Sequence, residues 1–360
     1  MENLKKLIEI KSNQNGDEIV DYLIKNLTGK VKDIKVIKNK TNEDKSLLIG
    51  FNTELKNCSP IVLSGHLDTV NPNAAYSIDP FTLTIKDGKG YGLGTIDMKS
   101  FTAIILDNLA TLSSLPYPVI AALTTDEETK FKCIETVIDS FKELNITPIF
   151  TIVGEPSQSK LMPVANGCYV FQANFYGKAA HSSKINQGIN AVAALAKLVT
   201  FIEESQKEFS STCANPAIIT GGEVVNKVPD FSSLKFDIRT SAPAELDSFI
   251  KKIENKIESL KKEYEGIHIT LDMPLFLPPF LSKDNNKIES LAKILNLETA
   301  KFDACCEAVY YTNYCGDAVI FGIGDLELAH KADEYVDILE YKNYSKLFLK
   351  LLNEIAKLYN

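Results

Sequence analysis

Three short, almost wholly apolar runs that each stop on a histidine or a carboxylate constrain this chain more than anything else in it. Residues 60–65 lead to His66 and Asp68, residues 119–125 to Asp126, Glu127 and Glu128, and residues 148–154 to Glu155. Runs of this length without polar alternation read as strands covered on both faces, the pattern of a parallel sheet between helices. Further strand-like runs cover 31–37 and 46–51. Helical spacing joins Leu4, Leu7 and Ile8, then Ile19, Val20, Leu23 and Leu27, and 97–112 has the length and period of a helix. Strands and helices in alternation make an α/β layer. Its polar motifs fall at strand ends, where open α/β sheets place their sites.

From about residue 168 the pattern changes. A strand (168–176) leads to an Ala-rich helix (188–205) and to strands 216–225 and 231–239. A long charged helix (243–264) and a strand (267–273) follow. That β-α-β-β-α-β order is ferredoxin-like. Pro274 to Pro279 reads as a return linker, and a closing helix (342–359) belongs with the first part. A length of 360 residues favours two domains. The expectation is a discontinuous catalytic domain, 1–166 with 274–360, and an inserted domain, 167–273. The charged stretch 38–45 reads as a solvated loop.

The net charge of −8, with Lys and Arg dispersed among Asp and Glu, argues against nucleic acid as a partner. No apolar run is long enough for a membrane span or a signal peptide, so a cytoplasmic protein without a membrane partner is expected. The cysteines number seven, with no C-x-x-C pair, and read as reduced, mostly buried small hydrophobes.

Histidines number only four. His66 and Asp68 point to one side of a strand, so Asp68 can hold the imidazole in one tautomer; a capped strand end is the plain alternative. Asp97 follows Gly92 and Gly94 and precedes a helix. A full G-x-G-x-x-G and a Walker lysine are missing, which argues against a phosphate loop, while a helix N-cap competes for Asp97. Asp126, Glu127 and Glu128 repel one another unless a cation is present; otherwise they form a solvated acidic turn. With Glu155 and His330 they make a donor set suited to zinc or a similar divalent ion.

Taken in order, SGHLDTV, GLGTIDMKS, TTDEET, VGEPS and AHKADEYV resemble one family: the acetylornithine deacetylases, succinyl-diaminopimelate desuccinylases and glutamate carboxypeptidases, which are di-zinc hydrolases. AAHSS and GGEVVNKVPDFSSLKFDIR extend the resemblance over nearly the whole chain, and DMKSFTAIIL, DEET and AHKADEYV look most like the acetylornithine deacetylases. The resemblance implies a mixed-sheet, zinc-peptidase-like catalytic domain with an inserted dimerisation domain, hence a homodimer. It implies that Asp97 bridges two divalent ions (zinc, or else cobalt or manganese), one completed by His66 and Glu155, the other by Glu128 and His330. By the same resemblance Glu127 is the general base and Asp68 stands behind His66. His181 would steady the oxyanion from the other subunit, Asn226 and Arg239 would hold substrate, and the Asp97–Met98 peptide would be cis. His268 matches nothing and reads as surface structure.

The function so implied is removal of an acyl group from a small N-acyl amino acid, as in arginine biosynthesis. A hydroxide shared by two metal ions would attack the amide, with Glu127 moving the proton. A di- or tripeptidase or a carboxypeptidase acting on short peptides is the alternative, and a binding protein without turnover is a third reading. Two departures from the family stand out. Ser100 replaces a glycine, and Thr312-Asn313 replaces a Thr-Glu in a wall expected to shape the acyl-amino-acid pocket.

Overall fold

The computed structural model describes residues 1–38, 44–55 and 58–359, so the centre of the charged stretch 38–45 lies outside the described residues. Two compact units make up the chain: Met1–Val164 with Leu281–Phe302 and Cys306–Asn360, and Ala165–Phe280 with Asp303–Cys305.

In the first unit, α1 (Glu2–Glu9) and α2 (Asp17–Leu27) bury the two apolar stripes read from their spacing. Strands β1 (Asp33–Lys38), β2 (Lys45–Phe51) and β3 (Ile61–His66) precede a small hairpin, β4 (Thr84–Lys86) and β5 (Lys89–Tyr91). Next come α3 (Lys99–Asp107), α4 (Leu109–Leu112), β6 (Val119–Thr124), α5 (Lys132–Glu143), β7 (Phe150–Val153) and β8 (Leu161–Ala165). The single helix expected over 97–112 is two, because the Asn108 amide turns back to donate to Ile104 O at the break.

The second unit runs β9 (Gly167–Tyr176), α6 (Ala191–Ser205), β10 (Thr212–Gly221), β11 (Phe231–Thr240), α7 (Pro243–Glu263) and β12 (His268–Leu277). Its antiparallel sheet has the order β10-β11-β9-β12 and one helix-covered face, where Phe171, Phe175, Phe236 and Phe249 pack. Pro274 is not in a linker: β12 continues to Leu277. As an edge strand it tolerates a residue without an N–H, and the ladder shifts register between Asp272 and Leu275.

The chain then returns through β13 (Phe280–Leu281), α8 (Asn285–Leu295), β14 (Thr299–Phe302), α9 (Ala308–Tyr314), β15 (Asp317–Ile320), β16 (Tyr335–Asp337) and α10 (Ile338–Tyr359). The large sheet of the first unit has the order β1-β2-β6-β3-β7-β15-β8-β13, with β14 beside β8. Its centre, β6-β3-β7-β15, is parallel, and β1, β2 and β8 pair antiparallel at the flanks. Every residue of β3, β6 and β7 is buried, as their unbroken apolar runs require. Helix α3 lies hard against the ends of β3 and β7. A Cβ on Gly154 would stand 2.1 Å from the Phe101 ring, so only glycine fits there. The peptide between Asp97 and Met98 is cis.

Candidate metal centre

Parallel pairing sets the ends of β3, β6 and β7 side by side, with His66 opposite Thr124 in the β3–β6 ladder. Side chains just beyond these ends therefore converge. His66 Nε2 lies 2.8 Å from Asp97 Oδ1 and 3.9 Å from Glu155 Oε1. On the other side, His330 Nε2 lies 3.0 Å from Glu128 Oε1 and 3.3 Å from Asp97 Oδ2. Asp97 thus presents one oxygen to each histidine. The donor atoms of His66, Asp97 and Glu155 lie within 4.8 Å of one another, as do those of Asp97, Glu128 and His330.

Asp68 stands behind His66: its carbonyl oxygen is 3.0 Å and its carboxylate 3.5 Å from Nδ1. The same carboxylate accepts the N–H groups of Glu127 (3.4 Å) and Glu128 (3.1 Å), so one side chain orients a histidine and the acidic turn together. Asp126 does something else. It accepts the N–H groups of Lys132 and Cys133 and so caps α5. Asp44, Asp126 and Cys133 also gather, but Asp126 is already spent on the two N–H groups that open α5. Asp97 is not a helix cap; Met98 holds that position in α3.

Buried side chains that the sequence does not mark complete the surroundings. Glu334 accepts the N–H groups of Gly94 (3.0 Å), Ile96 (2.6 Å) and Asp97 (3.1 Å), cradling the loop that carries Asp97. Lys99 donates to Leu7 O (2.9 Å) and Ile10 O (2.8 Å), tying α1 to that loop, and burial pushes its ammonium down to about 7. Glu307, beside the start of α9, accepts from the Ser64 and Thr124 hydroxyls beneath the strand ends. Thr312, by contrast, spends its hydroxyl on carbonyls of its own helix, and Asn313 beside it is exposed; Glu307 is the buried acid at the start of that helix.

Three carboxylates crowd two imidazoles here. Burial, then the negative charge of Asp97, pushes Glu155 well above the usual carboxylate range. Burial opposes it, yet hydrogen bonds to Asp68 and Asp97 hold the His66 imidazole well above its ordinary pKa. Asp97, then Glu128, lift His330 to about 10. Two imidazoles and three carboxylates, one shared, fit a pair of borderline divalent ions.

Within the second unit, His181 is exposed and accepts the Ser183 N–H on Nδ1 (3.2 Å), while Asn226 O accepts the Ser182 N–H (3.0 Å), bringing 181 and 226 together. Arg239 lies on β11, half-buried, donating from Nε to Asp237 (2.9 Å) and from Nη1 to Cys305 Sγ (3.2 Å). His268 is exposed at the start of β12 and stacks on Tyr176. All the cysteines are free; Cys133, Cys168 and Cys306 are buried, but Cys58 and Cys213 are exposed, against the expectation of a mostly buried set. Among the described residues no helix is long and apolar enough to cross a membrane.

Comparison with known proteins gives the family and the fold. The pattern of peptidase family M20/M25/M40 matches residues 62–354. An acetylornithine deacetylase of Buchnera aphidicola subsp. Schizaphis graminum is 30% identical over 96% of this chain and 93% of its own. A tripeptidase structure from Staphylococcus aureus superposes with a TM-score of 0.83 at 21% identity, covering 99% of this chain and 97% of that one. A dinuclear metal-binding peptidase of family M20 from Bacillus subtilis gives 0.74 at 14% identity, covering 99% and 97%. Fold and site together define a metal-dependent hydrolase of amide bonds. The chain belongs to peptidase family M20/M25/M40.

Proposed function

We propose that the chain removes the acyl group from an N-acyl amino acid, with N-acetylornithine the first substrate to try. The observation that carries this is Asp97 shared between two donor sets, in a chain 30% identical to an acetylornithine deacetylase over almost its full length. His66 and Glu155 would hold one divalent ion and Glu128 and His330 the other, zinc in the first place, with Asp97 between them. Bound there, such ions lower the pKa of a water and polarise an amide carbonyl.

The chain's own residues do the rest. Glu127 takes the proton of the attacking water and returns it to the leaving amine. Asp68 serves it twice, fixing the His66 tautomer and holding the Glu127 N–H. Because Nδ1 of His181 accepts the Ser183 N–H, its proton sits on Nε2, the donor needed for an oxyanion. Arg239, steadied by Asp237 and Cys305, takes the free carboxylate of the substrate, and Asn226 assists. The inserted second unit serves dimerisation, and the enzyme works in the cytoplasm.

The test is hydrolysis of N-acetylornithine, N-succinyl-diaminopimelate, N-acetylmethionine and a dipeptide panel by zinc- and cobalt-loaded protein. Preference for an N-acyl amino acid is expected. Turnover of peptides alone would replace this reading by that of a peptidase.

A further inference from the structure

Glu307 is a buried carboxylate that the chemistry above leaves without a task. It is 1% exposed, just before α9. The Ser64 hydroxyl donates to its Oε2 at 3.0 Å and the Thr124 hydroxyl to its Oε1 at 2.6 Å. Residues two apart on a strand share a face, and so do paired residues across a ladder. Ser64 therefore shares the face of His66, and Thr124, paired with His66, shares it too. The β3–β7 ladder ends at Ser64 and the β3–β6 ladder at His66, so His66 stands on the last rung, where strands have most freedom. A filler at this place would be apolar, since burying an acid is costly unless its partners need it.

We propose that Glu307 is a positioning residue of the hydrolytic centre. Its carboxylate clamps Ser64 and Thr124 together from beneath, fixing His66 and the strand end that leads to Glu127 and Glu128. This rests on the centre being the metal site described above. The clamp acts through hydrogen bonds: a glutamine can still serve both hydroxyls, whereas an alanine serves neither.

The test uses cobalt-loaded full-length enzyme and reads kcat, KM and the visible absorption of bound cobalt. A displacement near one ångström can cost about 100-fold in rate, so Glu307→Ala is expected to lower kcat by about that factor, with KM within about threefold, and to alter the cobalt spectrum. Glu307→Gln should return kcat to within about fivefold of the parent. Ser64→Ala and Thr124→Val should each reproduce part of the loss and add little on top of Glu307→Ala. They carry the test should Glu307→Ala not fold. Equal losses in the Gln and Ala variants, or hydroxyl variants with unchanged kcat and spectrum, would overturn the clamp. A parent protein that binds no cobalt would instead overturn the metal-centre reading beneath it.

Discussion

The carboxylate of Glu334 accepts the main-chain N–H of Asp97 at 3.1 Å. It takes the N–H groups of Gly94 and Ile96 as well, and all of this is buried. Removing the acceptor orphans three donors, each worth about 1–3 kcal/mol when left unsatisfied, though not additively. Glu334→Ala should therefore melt at a clearly lower temperature and, on the proposed sharing of Asp97 by two ions, purify short of metal. Calorimetry and elemental analysis check this; an unchanged melt with full metal content would refute it.

The two halves of the centre differ in depth. His66 is 1% and Glu155 4% exposed, whereas the His330 side chain is 52% exposed. A chelator should strip the Glu128–His330 side first and the deeper side slowly. His330→Ala should keep one ion per chain, and Asp97→Asn, which weakens both sets, should keep neither firmly. Metal counts after stepwise dialysis decide it, and loss of both ions from His330→Ala would count against the assignment.

Much of the sheet and of the candidate site is legible in the sequence, for a physical reason. Strands buried on both faces must be apolar throughout, so the polar residues that end them stand out, and His66, Glu128 and Glu155 announce themselves. Glu307 and Glu334 do not. Their partners, Ser64, Thr124 and the Gly94–Asp97 amides, lie far away in sequence, and nothing local separates a buried acid from a solvated one. Local chemistry also misled at two points: Asn108 looked like one more helical residue but ends α3, and Pro274 looked like a linker residue but sits in an edge strand.

Glu127 is 8% exposed, at the end of β6, and its N–H is held by Asp68. On the proposed mechanism it moves a proton without being needed to hold an ion. Glu127→Ala should then lose at least about 100-fold to 10,000-fold in kcat, the usual worth of a general base, while binding both metals. Full activity in that variant would remove Glu127 from the mechanism.

Burial pushes the Glu307 carboxyl from its ordinary 4.5 up to about 7. Its hydroxyl partners can donate to a carboxylate or accept from an acid, so either state is satisfied locally. Between those two values the folded chain binds more protons at this group than the unfolded one, and stability falls as pH rises. The contribution is complete below about 4.5 and is lost as pH passes about 7. His330, lifted to about 10, acts with the same sign at higher pH, though its exposure weakens the effect. The melting temperature of chelator-treated protein should thus drop from about pH 5 to pH 8, and Glu307→Gln, neutral throughout, should flatten the lower part of that curve. Parallel curves for the two proteins would mean that Glu307 keeps its charge at neutral pH. Metal-loaded protein should run the other way, because ions displace protons from the histidines and bind more tightly as pH rises.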